Sequence, residues 1–191
     1  MSWNNKFGRW VYFMQVPASF DWHHETSYNY WVKQKAMTGR FKEIRERMDF
    51  AHHGCYDSRR QMFQDSIIQS TLGTGTASPH PWIVFTAGSF FAGKSWVVSW
   101  MLDQGYLPLD VVRTDPDLIR TQLPEWPGYL TRDGPEAAVM TQREAGTIAL
   151  IAQWEAMRQG RHILVDGSLR RLGSKHVALA VVFCGVSTQE C

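Results

Sequence analysis

The stretch "WIVFTAGSFFAGKSWVVSWML", Trp82 to Leu102, limits what this chain can fold into more than any other. A short apolar, β-rich run meets a run with helical character through Gly88, Ser89, Phe90, Phe91, Ala92, Gly93, Lys94 and Ser95. These residues fit the pattern G-x-x-x-x-G-K-[ST]. A buried strand that turns tightly into a helix aims unpaired backbone N–H groups, and the positive end of the helix dipole, at one point in space. That point suits a phosphate. Glycine is needed where the turn requires positive φ or where a side chain would strike the anion. Lys94 adds a point charge, and the Ser95 hydroxyl is placed to ligate Mg²⁺. The pattern leaves the positions of Phe90 and Phe91 open, so they do not break it.

The rest of the chain is organised around that turn. Tyr30, Met37, Phe41, Ile44, Met48 and Ala51 recur at helical steps, and Gly54 is a stop signal. A second helix is expected over Asp57 to Leu72. "GTGTASPHP", Gly73 to Pro81, has the composition of a linker. The expected division is therefore a helical N-terminal extension with its linker over residues 1–80 and a core over 81–191. Within the core, "WIVFT", Leu109 to Val112 and "HILVD" read as strands. A short helix is expected over Asp115 to Leu123, and a long one over Thr141 to Gln159. Thr141 and Glu144 have the spacing of a capping box, and Ala145, Ile148, Ala152 and Met157 would form the inner stripe. Strands alternating with helices predict a parallel α/β sheet.

Two further stretches carry chemistry. "TDPDLIR" puts Asp115, Asp117 and Arg120 just after the second expected strand. Ligands of parallel sheets bind at the carboxyl ends of strands. A carboxylate there can take a proton from an acceptor hydroxyl, and an arginine one turn on can hold a phosphate. The same D-P-D is a good helix start, with Asp115 as its cap. "HILVDGSLR" ends the third strand with Asp166, followed by Ser168 and Arg170. Asp166 can hold Mg²⁺ through water, fix a substrate, or simply make a turn with Gly167.

Taken in order, GSFFAGKS, DPDLIRTQLPE and LVDGSLR resemble the zeta toxin family of P-loop kinases over about Trp82 to Arg170. The resemblance implies a three-layer P-loop NTPase fold with a parallel sheet, and transfer of the ATP γ-phosphate to a hydroxyl of a small molecule such as a nucleotide sugar. By the same resemblance, Lys94 and Ser95 handle ATP and Mg²⁺, and Asp117 is the catalytic carboxylate. Asp166 lies in the metal and substrate region, with Ser168 and Arg170 beside it. Glu144 matches a helix glutamate of relatives, though capping explains it equally well. Relatives continue past this point with more strands and an arginine-bearing lid. Ten residues between Asp166 and Val177 are short for a parallel crossover. The core is therefore expected to be incomplete at its C-terminus, with "VALAVVFC" pairing antiparallel, forming a helix or packing loosely.

Composition excludes several other classes. Net charge is +2, with 20 Lys and Arg and no dense basic run, so a nucleic-acid surface has no strong signal. Arg45, Arg47, Arg59 and Arg60 read as a solvated helix face. Three cysteines without C-x-x-C fit a reducing, cytoplasmic setting. Apolar runs are too short to span a bilayer. His23-His24 and His52-His53 lack zinc spacing. Two alternatives remain beside the kinase: a nucleotide-binding protein with little or no activity, acting through a protein partner of its N-terminal helices, and a polynucleotide kinase.

Overall fold

In the computed structural model, residues 2–4, 9–11, 14–33, 36–87, 93–166 and 180–185 are described, with 2–4, 9–11, 87 and 180–185 described as backbone. The elements in chain order are β1 (Ser2–Asn4), β2 (Arg9–Val11), α1 (Thr26–Asn29), α2 (Lys42–Arg47), α3 (Phe50–His53), α4 (Ser58–Leu72) and β3 (Trp82–Ala87). They continue with α5 (Lys94–Asp103), β4 (Val112–Thr114), α6 (Pro116–Arg120), α7 (Trp126–Arg132), α8 (Gly134–Arg158), β5 (Ile163–Asp166) and β6 (Ala180–Gly185). The chain forms two compact units, one from residues 1–70 and 116–151, the other from 71–115 and 152–191.

The second unit holds a four-stranded sheet in the order β4-β5-β3-β6. β4, β5 and β3 run parallel, with Val112 opposite Ile163 and Thr86 opposite Asp166. This is the parallel α/β sheet expected from the alternating pattern. β6 pairs antiparallel with β3, from Trp82 opposite Gly185 to Ala87 opposite Ala180. Of the options open for "VALAVVFC", the antiparallel one is realised. Val84, Leu164, Val98, Met101 and Leu107 form the core cluster of this unit.

Two boundaries in this unit differ from expectation. The strand expected over Leu109 to Val112 is instead Val112–Thr114. Val111 N–H turns back to the Pro108 carbonyl at 3.1 Å, Leu107 takes the core position and Leu109 is 90% exposed. Of these apolar residues Leu107 and Val112 are fully buried, and Val111 packs half-buried against the core. Arg161, which follows the Gly160 turn (φ 62), donates to the Leu72 and Asp110 carbonyls, and the segment expected to be a linker is tied down by Ser78 N–H on the Gly160 carbonyl at 2.8 Å and Thr76 N–H on Asp110 Oδ2 at 3.1 Å.

The first unit is helical, with a short antiparallel β1–β2 ribbon. The continuous helix expected between Tyr30 and Ala51 is broken into α2 and α3, and Trp31 makes an isolated bridge with Tyr56. Asp65 causes one break: its Oδ2 accepts the Arg40 N–H at 2.8 Å and leaves Gly39 in a turn at φ 79. Met48 causes the other by going extended before the Asp49 cap of α3. Tyr30, Phe41, Ile44 and Met48 are nevertheless buried and Met37 is half-buried, whereas Ala51 is exposed, so the stripe marks the core as far as Met48 while its local conformation differs from expectation.

Gly54 closes α3 at φ 72 and ψ −173, a region reserved for glycine, and an added Cβ would lie 2.8 Å from Trp31 Cδ1. Gly54→Ala is expected to cost about 2–3 kcal/mol by adding that contact to the backbone strain. Urea denaturation checks this, and a loss below about 0.5 kcal/mol would show that the loop relaxes freely.

The largest correction concerns α8. It starts at Gly134, not Thr141, and runs 25 residues. Thr141 is interior and fully buried, with its hydroxyl donating to the Ala137 carbonyl at 2.9 Å. There is no capping box. Glu144 is released from that part and faces Arg60, which is itself fully buried rather than solvated. Arg45 is buried too, paired with Asp65 at 2.6 Å. α7 forms where a loop was expected, with proline in its first turn.

Candidate functional site

Within the second unit, the carboxyl edge of the parallel strands collects polar side chains. β3 ends at Thr86-Ala87, and Gly88, Ser89, Phe90, Phe91 and Ala92 lie outside the described residues. The description resumes at Gly93, left-handed at φ 79 and ψ 15, which caps α5. Among the described residues no atom lies within 4 Å of a Cβ built there, so the glycine is required by its φ and not by crowding from those residues. Lys94 and Ser95 form the first turn of α5, Lys94 half-buried and Ser95 exposed.

Next to that turn in the sheet order, Asp166 ends β5. Its Oδ1 accepts from Thr86 Oγ1 at 2.7 Å, and its Oδ2 accepts from Arg113 Nη2 at 2.8 Å. The same Nη2 lies 3.3 Å from Asp115 Oδ2. One guanidinium thus joins two carboxylates across the ends of β4 and β5. The pairing of Val112 with Ile163 and of Thr86 with Asp166 sets this register. Beneath it, Gln153 donates to Thr114 Oγ1 at 3.1 Å, fixing the last residue of β4.

Within the first unit, Asp117 sits in the first turn of α6 and is 66% exposed. Its Oδ1 is 2.9 Å from Arg120 Nη2. Arg120 is buried. Its Nη1 donates to the Ala138 carbonyl at 2.8 Å and its Nη2 to Gln142 Oε1 at 2.7 Å, both on α8. Its guanidinium also lies over the Trp126 ring, 5.8 Å from the centroid.

α8 also carries the other half of a buried charge cluster in the same unit. Arg60 gives Nε and Nη2 to Glu144 at 2.7 and 2.9 Å, and Nη1 and Nη2 to Glu125 at 3.0 and 2.9 Å. Tyr30 donates to Glu125 at 2.5 Å and Gln64 to Glu144 at 2.8 Å. All three charged side chains are fully buried. Burial alone would push the Glu144 carboxyl up, but the Arg60 charge and its hydrogen bonds outweigh that and hold it below its ordinary range. Burial raises the Tyr30 phenol.

Of the residues singled out from sequence, the structure joins Asp117 to Arg120 and places Asp166 on the strand edge with Thr86, Arg113 and Asp115. Ser168 and Arg170 lie outside the described residues. Arg113 and Thr86 went unnoticed. The signal was available: in "VVRT" the polar Arg113 interrupts a strand between buried Val112 and Thr114.

Among the described residues no group of three or more His, Cys, Asp or Glu is arranged to hold a metal by itself. A hydroxyl on the first turn of α5 and one carboxylate at a strand end fit a hard cation that keeps waters and takes its other oxygens from substrate phosphates, as Mg²⁺ does. No helix of the described residues is long and apolar enough to cross a membrane.

Comparison with curated proteins returns no match. Among solved structures, the chain is similar to one from the characterization of the PezAT chromosomal toxin–antitoxin system of Streptococcus pneumoniae, at 20% identity and a TM-score of 0.51. The match covers 63% of this chain and 50% of that one, so this chain spans half the length of its structural neighbour. That likeness bears on the fold and agrees with a P-loop kinase-like sheet. The family described as Zeta toxin matches residues 66–179, well over half of the sequence and every motif from the glycine turn to Arg170. The chain belongs to the Zeta toxin family, whose members have a nucleotide-binding, kinase-like role.

Proposed function

We propose that the protein binds ATP with Mg²⁺ and transfers the γ-phosphoryl group to a hydroxyl of a small molecule of the nucleotide-sugar class. The observation that carries this reading is the left-handed Gly93 that leads into α5 with Lys94 and Ser95 on its first turn, directly downstream of a central parallel strand. Backbone amides from Gly88 to Ser95 bind the phosphates, and the Lys94 ammonium lies against the β- and γ-phosphoryl oxygens. Ser95 and Asp166 hold Mg²⁺, which when bound draws charge from the transferring group. Asp117 accepts the proton of the acceptor hydroxyl. Its oxygen then bonds to the γ-phosphorus as the bond to the β,γ-bridging oxygen breaks, and ADP leaves. By the family resemblance, Arg170 is assigned to the charge on the transferring phosphoryl group and Ser168 to binding the acceptor. The bonds of Arg120 to Ala138, Gln142 and Asp117 support a positioning part for it, aiming the carboxylate from α8. Catalysis of this kind is mostly alignment and charge neutralisation.

The N-terminal helices are where a protein partner would dock, in line with the toxin–antitoxin origin of the structural neighbour. A reducing, cytoplasmic setting is supported by the free, buried thiol of Cys55.

Titration calorimetry of Lys94→Ala tests the loop. Loss of one charge-assisted contact is expected to weaken ATP binding about 10- to 100-fold, with far-UV circular dichroism unchanged. Equal affinity for both proteins would remove the phosphate cradle from the argument.

A further inference from the structure

Arg113 raises a question that the kinase reading leaves open. A carboxylate that serves a metal must present an oxygen to it, and each oxygen of Asp166 already accepts one hydrogen bond, from the Thr86 hydroxyl at 2.7 Å and from the cationic Arg113 at 2.8 Å. Arg113 is also the link to Asp115, at 3.3 Å. The two acids are nearly enclosed, 9% and 12% exposed, while Arg113 is 34% exposed. Its Nε is buried and has no hydrogen-bond partner among the described residues. The Arg113 side chain is thus the most accessible of the three, and its Nε makes no bond among the described residues that holds it where it stands.

We propose that Arg113 is a positioning residue that acts as an internal counter-ion: it holds the Asp166 and Asp115 carboxylates while no divalent cation is bound, and yields the Asp166 oxygen when one arrives. This rests on the reading of Asp166 as the metal-facing acid. Two carboxylates so close repel, and a cation must neutralise them. Arg113 supplies that charge from within the chain, so a divalent ion enters by competing with it for the same oxygen. Thr86 keeps Asp166 aimed throughout, because its bond is to the other oxygen. The metal affinity of the site is thereby lowered by its own arginine, and in the apo protein the same charge offsets the mutual repulsion of the two acids. A purely structural strut would behave differently: its loss would lower the melting temperature and leave metal binding unaltered.

The test is Mn²⁺ binding to the full chain without nucleotide, followed through the electron paramagnetic resonance signal of free Mn²⁺. Removing one positive charge in direct contact with the metal-facing oxygen is expected to tighten Mn²⁺ binding on the order of tenfold in Arg113→Met. Arg113→Gln serves as a second neutral variant should the methionine protein fold poorly. Arg113→Lys, which keeps the charge, is expected to stay near wild type, and the double variant Arg113→Met/Asp166→Asn is expected to lose the gain. Unchanged or weaker Mn²⁺ binding in both neutral variants overturns the proposal, as does a gain that survives Asp166→Asn. Calorimetry with metal-free ATP, run alongside, separates the two readings. ATP binding without the Mn²⁺ shift removes the counter-ion and leaves the kinase. The Mn²⁺ shift without ATP binding does the reverse.

Discussion

Replacing Arg60 with methionine is expected to destabilise the protein by about 3–5 kcal/mol, close to the whole stability of a small unit. The substitution keeps a buried apolar stem but leaves Glu125 and Glu144 facing each other without a cation, both fully buried. Breaking one side of a buried pair costs far more than the pair was worth, because the remaining charges stay desolvated. The pH dependence gives a sharper signature than the loss itself. In the parent protein the Glu144 carboxyl is held below its ordinary value of 4.5, so its contribution is complete above that value and disappears as pH falls through the depressed one. In Arg60→Met the charge that holds it down most is gone, the hydrogen bonds from Gln64 and Thr26 alone remain, and burial raises it instead. The sign then reverses: the variant gains stability as pH falls from about 8 to about 5, because the buried Glu144 carboxylate takes up a proton. Glu144→Gln added to Arg60→Met removes one of the two acids and is expected to recover part of the loss. Urea denaturation at several pH values checks all of this. A variant with the parent's stability and the parent's pH slope would show that the cluster is solvated in solution.

Asp117→Asn is expected to lower kcat about 10²- to 10⁴-fold, a barrier increase of roughly 3–5 kcal/mol, while ATP affinity stays nearly constant. The amide keeps the shape of the carboxylate and its place in the first turn of α6, but it cannot accept the proton of the attacking hydroxyl. Asp117 is 66% exposed, so its ion pair with Arg120 adds little to folding and the variant should melt with the parent. Phosphoryl transfer from labelled ATP to nucleotide-sugar acceptors is the measurement. An unaltered rate would remove Asp117 from the chemistry. A parent protein that binds ATP and transfers nothing would favour the nucleotide-binding alternative.

The parts of the molecule that sequence revealed are those set by short-range physics. The run Trp82 to Ala87, the apolar "HILVD" and the helix after Lys94 each announce themselves through period, length and glycine punctuation, and all three form where expected. Glycines mark true ends at Gly54 and Gly160, where φ is positive. The misreadings come from long-range partners. Thr141 and Glu144 have capping-box spacing, but the start of α8 is set seven residues earlier by Gly134-Pro135, and Glu144 is claimed by an arginine 84 residues away. Arg60 read as solvated because its neighbours in sequence are polar. Its partners lie on α8 and beside α7, and no local period reports that. The candidate site divides in the same way. The glycine turn, Asp117 and Asp166 can be picked out one by one, whereas Arg113 gains meaning only when β4 and β5 align in register and bring Asp115 and Asp166 to one guanidinium.

One long helix serves both Arg60 and Arg120 in the first unit. α8 presents the Ala138 carbonyl and Gln142 to Arg120, and Glu144 to Arg60. Deleting or inserting a single residue between positions 142 and 144 would rotate everything beyond it by about 100° and shift it by about 1.5 Å. Arg120 would keep its anchors while Arg60 lost Glu144 to another face. Descendants of this chain can therefore lengthen their loops freely, but this segment of α8 can change only by substitution, and its residue count should persist in lineages where most letters have been replaced.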